Sequence, residues 1–99
     1  MKAKVDKEKN SILILNFERR DEEHAFREIK NAFDERADTK TLYDIMGPSE
    51  DFVEYEYKGG NVVLCYDIDY GLQPLECDRR ILTDIYKLVC DILTAKNLS

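Results

Sequence analysis

The sequence predicts an α+β fold, a two-layer sandwich in which a mostly antiparallel sheet of four or five strands carries two amphipathic helices on one face. The sheet is predicted by two runs of alternating polar and apolar residues, 52–58 and 61–70, that flank a pair of glycines. Glycines accept the positive φ angles of a tight turn, so this arrangement is typical of a β-hairpin. The helices are predicted by two segments, residues 21–35 and 79–96, in which apolar residues recur every three or four positions.

The predicted hairpin has a register and two different faces. A two-residue loop at Gly59 and Gly60 gives three cross-strand pairs that share one face, namely Tyr57/Val62, Tyr55/Leu64 and Val53/Tyr66. We expect these aromatic and aliphatic pairs to lie in the core. The other face carries carboxylates interrupted by an apolar seam, and its members are the candidate interface residues Phe52, Glu54, Glu56, Val63, Cys65, Asp67 and Asp69. Because an apolar strip on an open sheet usually needs a partner, this face is predicted to be a contact surface.

The remaining segments supply the other strands. Residues 2–5 form a short predicted strand, and residues 11–17 are apolar at nearly every position, which is typical of a central strand buried on both faces. Residues 36–51 are predicted to be irregular, with a short strand or a last helical turn at 41–46. Residues 71–77 contain a proline, which cannot donate to a sheet ladder, so they form an edge strand or a loop.

Both predicted helices begin with acidic residues. Asp21, Glu22 and Glu23 place negative charge at the positive end of the first helix dipole. Asp78 is the predicted N-cap of the second helix. The second helix has the stronger apolar stripe, which consists of Ile81, Leu82, Ile85, Leu88, Val89, Ile92 and Leu93.

Length and composition limit the class of protein. A chain of 99 residues is predicted to form a single domain, 1–99, because each half would be too small to bury its own core. The formal net charge of −6 argues against a nucleic-acid binder, whose affinity rests on basic residues. The first 20 residues hold six Lys and Arg against three Asp and Glu, which favours head-to-tail contact or a basic protein partner. No apolar run is long enough for a signal peptide or a membrane span, so the sequence predicts a cytoplasmic protein without membrane contact.

The cysteines and the histidine predict no cofactor. Cys65, Cys77 and Cys90 are odd in number and form no C-x-x-C pair, so we expect three reduced thiols. Cys77 precedes Asp78 at the start of a predicted helix, a place that stabilises a thiolate. A reactive Cys77 is therefore the alternative to a buried structural thiol. The single histidine, His24, lies among glutamates near a helix start, where an exposed surface role is expected.

An Asp-x-Asp pair is the pattern that points to enzyme chemistry. Asp67 and Asp69 are predicted to lie on the same side of one strand, about 6.6–6.8 Å apart, a spacing that suits a divalent cation. Together with Gly59 and Gly60, the pair resembles part of the nucleotidyltransferase pattern, in which Gly-Gly or Gly-Ser precedes a strand bearing Asp-x-Asp. The resemblance implies that the two aspartates bind metal and that the glycines face a phosphate. It covers those four positions, and these glycines lie in a hairpin rather than at the helix start that the family uses.

The sequence therefore predicts a small acidic non-enzymatic protein that acts by protein–protein contact. It would act either as a homodimer through its open sheet face or by binding a basic protein there. Phe52 and Val63 would form the apolar anchor of this interface. The electrostatic attraction of a partner, and specificity for it, would come from the carboxylates Glu54, Glu56, Asp67 and Asp69. The alternative is a metal-dependent, nucleotidyltransferase-like enzyme that uses Asp67 and Asp69.

Overall fold

Seven strands and two α-helices are present in the computed structural model, which describes residues 1–16 and 20–98. The strands are β1 (Lys2–Asp6), β2 (Ser11–Leu15), β3 (Thr39–Met46), β4 (Glu50–Tyr57), β5 (Gly60–Asp67), β6 (Gly71–Leu72) and β7 (Leu75–Cys77). The helices are α1 (Glu22–Glu35) and α2 (Leu82–Ala95), and a 3₁₀ turn, Arg79–Ile81, precedes α2.

The strands form one antiparallel sheet in the order β1-β2-β7-β5-β4-β3, and β6 pairs with β5 beside this path. The predicted α+β class with an antiparallel sheet is confirmed, but the predicted number of four or five strands is wrong. The difference comes from β3, which falls in the segment predicted to be irregular, and from the short strands β6 and β7. Pro74 lies between β6 and β7, where its missing N–H leaves no gap in a ladder.

The β4–β5 hairpin turns one residue earlier than predicted. Lys58 and Gly59 form the loop, with φ angles of 48° and 78°, and Tyr57 pairs with Gly60. The predicted loop at Gly59 and Gly60 is wrong because Gly60 belongs to β5. Gly60 lies under Ile81. A Cβ added at Gly60 would be 2.9 Å from the Cδ1 of Ile81, so a larger residue would collide there. Moving the loop by one residue moves every partner by two positions, so the predicted faces of the hairpin are retained.

The predicted pairs therefore change partners within the same face. Tyr55 pairs with Val62 and Val53 pairs with Leu64, and all four side chains are buried. Tyr66 pairs with Asp51 and contacts the ring of Phe26 on α1, with 5.8 Å between the ring centroids.

Strand β2 is shorter than predicted and lies second from the sheet edge. It ends at Leu15, and Phe17 lies outside the described residues. Ile12 is fully buried, whereas Leu13 and Leu15 are half-buried. Ile12 and the half-buried Ile14 lie on the side that packs on the hydrophobic cluster, whereas Leu13 and Leu15 lie on the opposite side with Lys4 and Lys2 of β1.

Both helices lie close to their predicted positions. Helix α1 begins after Asp21, and its buried residues Ala25, Phe26, Ile29 and Phe33 follow the predicted spacing. Helix α2 begins one turn later than predicted because residues 79–81 form a 3₁₀ turn. Asp78 does not cap this turn with its side chain. Its Oδ2 instead accepts the backbone N–H of Asn61 at 2.9 Å, which ties the hairpin to the start of the helical segment.

The helices and strands share one hydrophobic cluster. Helix α1 contacts β3, β5 and β6, helix α2 contacts β1 and β2, and the two helices contact each other. The buried Ile81 belongs to this cluster and packs against Gly60 at the hairpin end.

A polar network around Tyr55 connects α1 to β3 and β4. The Tyr55 side chain is fully buried, its ring centroid lies 5.2 Å from that of Phe33, and its hydroxyl donates to Asp34 Oδ1 at 2.8 Å. The Lys30 ammonium lies 2.9 Å from Asp34 Oδ2 and 3.1 Å from Asp44 Oδ2 on β3. Burial, and then the hydrogen bond to Asp34, raise the pKa of Tyr55 well above its ordinary value. The network therefore holds a neutral phenol against a charged carboxylate.

We expect Tyr55→Phe to lower the free energy of unfolding by about 1.5–3 kcal/mol, because it removes a hydrogen bond to a charged group and leaves the ring in place. Urea unfolding followed by circular dichroism measures the change. Tyr70→Phe is the matched control, since Tyr70 is 74% exposed and its loss of a hydroxyl should have no effect. Equal stability of the Tyr55 variant and the wild type would contradict this role.

The same network predicts a dependence on pH. Because the folded state raises the pKa of Tyr55, its contribution is complete below the unfolded pKa of about 10 and is lost as the pH rises above it. The pKa of Lys30 is also raised, mainly by its hydrogen bond to Asp34, and acts in the same direction. Tyr55→Phe should therefore lose less stability than the wild type between pH 9 and pH 11.

Candidate functional site

One face of the β4–β5 hairpin carries the side chains that do not enter the hydrophobic cluster, and we call it the outer face. Its cross-strand pairs are Glu50/Asp67, Phe52/Cys65, Glu54/Val63 and Glu56/Asn61. Six of the seven predicted interface residues therefore lie together here, all except Asp69. Phe52, Val63 and Cys65 are each half-buried, so the apolar seam is shielded by its neighbours but still reaches the surface.

Asp69 lies outside the strand, in the turn that follows β5. Asp67 Oδ1 accepts the backbone N–H groups of Asp69 at 2.8 Å and Tyr70 at 3.0 Å, so the Asp67 carboxylate closes this turn. The prediction that both aspartates lie on the same side of one strand is wrong, because the chain turns directly after Asp67. Within residues 1–16 and 20–98 no group of three or more His, Cys, Asp or Glu side chains is arranged to hold a metal ion.

Strand β3 extends the outer face with residues that the sequence did not predict. Tyr43 pairs with Glu54 and Ile45 pairs with Phe52, and their side chains are 60% and 56% exposed. A bulge at Thr41 and Tyr43 interrupts the register. Simple alternation therefore fails along β3, since the bulge adds a residue and changes the side to which the following side chains point. The sequence feature that could have pointed to this part of the face is the aromatic and aliphatic residues that follow the bulge, Tyr43, Ile45 and Met46.

The outer face continues in the other direction to β7, β2 and β1. Val63 pairs with Glu76 of β7, which pairs in turn with Ser11 of β2. On β1, Lys2 and Lys4 are exposed, and they pair with the half-buried Leu15 and Leu13. The face therefore carries Lys2, Lys4 and Asp6 on β1, carboxylates on β4, β5 and β7, and Lys40 beside Glu56 on β3.

An open depression of about 300 Å³ lies on the outer face. Phe52, Val63 and Cys65 provide its apolar lining. Its charged lining residues are all carboxylates, namely Glu50, Asp67 and Glu76. Among the residues that the structure describes, none of these three carboxylates forms an ion pair with a Lys or Arg of the chain. The depression thus combines apolar surface with unneutralised negative charge.

The surroundings of Cys65 and Cys77 raise the pKa of both thiols. Burial first, then a hydrogen bond to Glu50 and the nearby carboxylates, raise the pKa of Cys65 to about 12. Burial, and then the charge of Asp78, raise the pKa of Cys77 to about 11. The alternative of a reactive Cys77 is therefore disfavoured, because a thiolate there would lie in an apolar setting beside a carboxylate.

His24 is exposed on α1 as expected, and its Nε2 lies 4.0 Å from Glu28 Oε1. It lies on a helix rather than on the outer face.

Comparison with known proteins finds no matching family model, no matching curated protein and no matching solved structure. Neither α-helix among the described residues has the length and apolar character needed to cross a membrane.

We expect Cys65 to react slowly with iodoacetamide at pH 8. Relative to a thiol of ordinary pKa, a pKa of about 12 lowers the thiolate fraction by about a thousandfold, and higher nucleophilicity recovers part of it, so the rate should be about 30-fold lower. Site-resolved mass spectrometry of the labelled protein measures the rate, and the same protein in urea is the control. Modification of folded Cys65 at the unfolded rate would show that Glu50 and burial do not protect it.

The position of Asp67 predicts how the protein responds to metal ions. We expect millimolar Mg²⁺ or Mn²⁺ to leave the thermal midpoint unchanged, whereas Asp67→Ala should lower it in the absence of metal, because the turn loses two hydrogen bonds. Differential scanning fluorimetry measures the thermal midpoint of the wild type with and without metal, and that of Asp67→Ala. A midpoint that rises with metal in the wild type and not in Asp67→Ala would instead support the metal-dependent alternative.

Proposed function

We propose that the protein acts by protein–protein contact through its outer face rather than by catalysis. The observation that carries this proposal is the apolar row Ile45, Phe52 and Cys65, which crosses three adjacent strands and is bordered by unpaired carboxylates. Apolar side chains aligned across a sheet are typical of a surface that another protein covers. The exposed Tyr43 beside this row adds an aromatic side chain of the kind that dominates binding energy in interfaces.

The proposal includes a two-layer arrangement in which both helices cover the opposite face of the sheet. The contacts of α1 with β3, β5 and β6, and those of α2 with β1 and β2, support it. The alternation of burial along β4 and β5 supports it as well, because Val53, Tyr55 and Leu64 are fully buried while Phe52 and Val63 are not. In this arrangement no helix covers the outer face.

The partner is either a second copy of the chain or a basic protein. Among the described residues, Glu50, Asp67 and Glu76 have no Lys or Arg as ion-pair partner, which favours a positively charged surface opposite them. We also infer that the protein works in the cytoplasm, since its three cysteines are free and a reducing compartment keeps them so.

Val63→Lys tests the proposal directly. Adding a charged side chain at the centre of the apolar seam should abolish partner binding or self-association while leaving the helical circular dichroism signal unchanged, because Val63 lies outside the hydrophobic cluster. Solution mass by light scattering and capture of partners by the tagged chain from its native extract measure the effect.

Thr94→Lys is the matched control, since it adds the same charge at an exposed position of α2. Assembly and capture that are identical in both variants and in the wild type would show that the outer face is not the contact surface.

A further inference from the structure

Strand β3 is an open edge of the sheet, and its second half carries exposed apolar side chains. It ends the strand order, and among the described residues no strand pairs with its far side. Tyr43, Ile45 and Met46 are 60%, 56% and 59% exposed. The opposite edge, β1, carries two exposed lysines, and lysines are a common device that keeps a sheet edge from pairing. Residues 43–47 contain no lysine.

The hydrogen bonds of the β3–β4 hairpin show which backbone groups of β3 face the open edge. Gly47 N–H donates to Glu50 O at 2.9 Å, so these two residues form a hydrogen-bonded pair. Such pairs alternate with non-hydrogen-bonded pairs along an antiparallel ladder. The next residue of β3 that is hydrogen-bonded to β4 is therefore Ile45. Asp44 and Met46, on either side of it, direct their N–H and C=O groups away from β4, where an extended backbone can pair with them.

From this pattern we infer that the β3 edge pairs with the β3 edge of a second copy, antiparallel, about a two-fold axis at Ile45. Asp44 then pairs with Met46 of the second copy, and each such pair exchanges both of its backbone hydrogen bonds. The same two residues thus satisfy each other's outward groups in both copies. The inference goes beyond the proposed function, because it uses the edge of the sheet and leaves the outer face free for a partner.

Only the axis at Ile45 suits the charges and the backbone donors of residues 43–48. An axis at Asp44 would place the two Asp44 side chains opposite each other, and like charges directly opposite destabilise a strand pair. An axis at Met46 would place Asp44 opposite Pro48, which has no N–H to donate. With the axis at Ile45, each Asp44 stays paired with Lys30 of its own copy and faces an apolar side chain.

A groove beside the edge favours the chain's own segment as the added strand. It has a volume of about 530 Å³, and its charged lining residues are two cations of α1, Arg27 and Lys30, and one carboxylate, Asp51. Met46 also lines it, so a side chain opposite Met46 in an added strand points towards this groove. In the two-fold register that side chain is Asp44 of the second copy, and a carboxylate therefore approaches the basic wall.

Arg27 is the cation of this wall that can respond to the incoming carboxylate. Its guanidinium lies 2.7 Å from Glu23, but the side chains of this pair are 69% and 56% exposed. An ion pair exposed to this degree contributes little to stability. Arg27 can therefore bond to Asp44 of the second copy at little cost. Lys30 stays with the two carboxylates of its own copy.

The side chains on the outer face fit in the same register. Ile45 lies against Ile45 of the second copy, so the apolar rows of the two copies, each with Ile45, Phe52 and Cys65, join into one. Tyr43 lies opposite Gly47 of the second copy, where no side chain opposes its ring. Residues 39–42 lie beyond the β3–β4 turn of the second copy, so the Lys40 side chain meets no strand there.

A cysteine at the axis tests this register. The Cα atoms of a non-hydrogen-bonded pair lie about 4.5 Å apart, a distance that a disulfide spans. Ile45→Cys should therefore give a disulfide-linked dimer in oxidised glutathione, seen by non-reducing electrophoresis. Tyr43→Cys is the matched control, since Tyr43 is exposed to a similar degree. Its two copies would lie about 14 Å apart, too far for a disulfide. The wild type reports any background from the native cysteines.

A proline at the edge tests the backbone pairing. Met46→Pro removes an N–H that faces the open edge and leaves the β3–β4 ladder intact, so it should dimerise at least about tenfold more weakly than the wild type. Met46→Ala is the matched control, because it removes the same side chain and keeps the donor. It should dimerise within about threefold of the wild type, since a backbone hydrogen bond needs no side chain. Sedimentation equilibrium measures the dimerisation, and circular dichroism confirms that each variant is folded.

Three results would each overturn the inference. They are a wild type that stays monomeric up to millimolar concentration, equal cross-linking of Ile45→Cys and Tyr43→Cys, and equal dimerisation of Met46→Pro and Met46→Ala. Failure of the proposed function is separate, because Val63→Lys should leave the edge dimer in place. A dimer that Val63→Lys abolishes and Met46→Pro retains would support the outer face as the contact surface and overturn pairing at the edge.

Discussion

The burial of Tyr55 is the constraint on which the rest of the structure depends. A fully buried phenol on β4 needs a partner for its hydroxyl, and Asp34 of α1 supplies it at 2.8 Å. That carboxylate in turn needs a cation, and Lys30 provides it while also reaching Asp44 on β3. One buried side chain thus links α1 to two strands. The Lys30–Asp44 ion pair joins α1 to β3, the edge strand that carries Ile45 on the outer face.

The faces of the hairpin were predictable from the sequence, whereas its register was not. Side chains alternate between the two faces with a period of two. An error in register of two positions therefore changes the partners of Tyr55 or Val63 but not the face on which each lies. The turn itself depended on which residues take positive φ angles, and Lys58 adopts one although it is not a glycine. Gly60 is required for a different reason, since Ile81 packs against its backbone. A contact between residues so distant in sequence leaves no local pattern.

The candidate site could be predicted where the strands are regular. The prediction failed where a strand ends or bulges. Phe52, Glu54 and Val63 followed simple alternation and lie together. Asp69 did not, because a side chain can close a turn with its own backbone and so stop a strand that propensity would continue. Tyr43 was missed because the bulge in β3 removes the period on which the prediction rests. Both failures have the same cause, a single residue that changes the backbone path.

A partner can cover the apolar seam of the outer face without burying a thiolate, because the pKa of Cys65 is raised. Cys65 lies in the depression between Glu50 and Asp67, and its raised pKa keeps the thiol neutral at physiological pH. With Phe52 and Val63 it forms an apolar centre that loses no charge–water contact when covered. The carboxylates that line the same depression remain available at its margin, where water or a cation from the partner can solvate them. An apolar centre inside a charged rim is the division of roles found in protein interfaces, and here hydrogen bonding to Glu50 helps to maintain it.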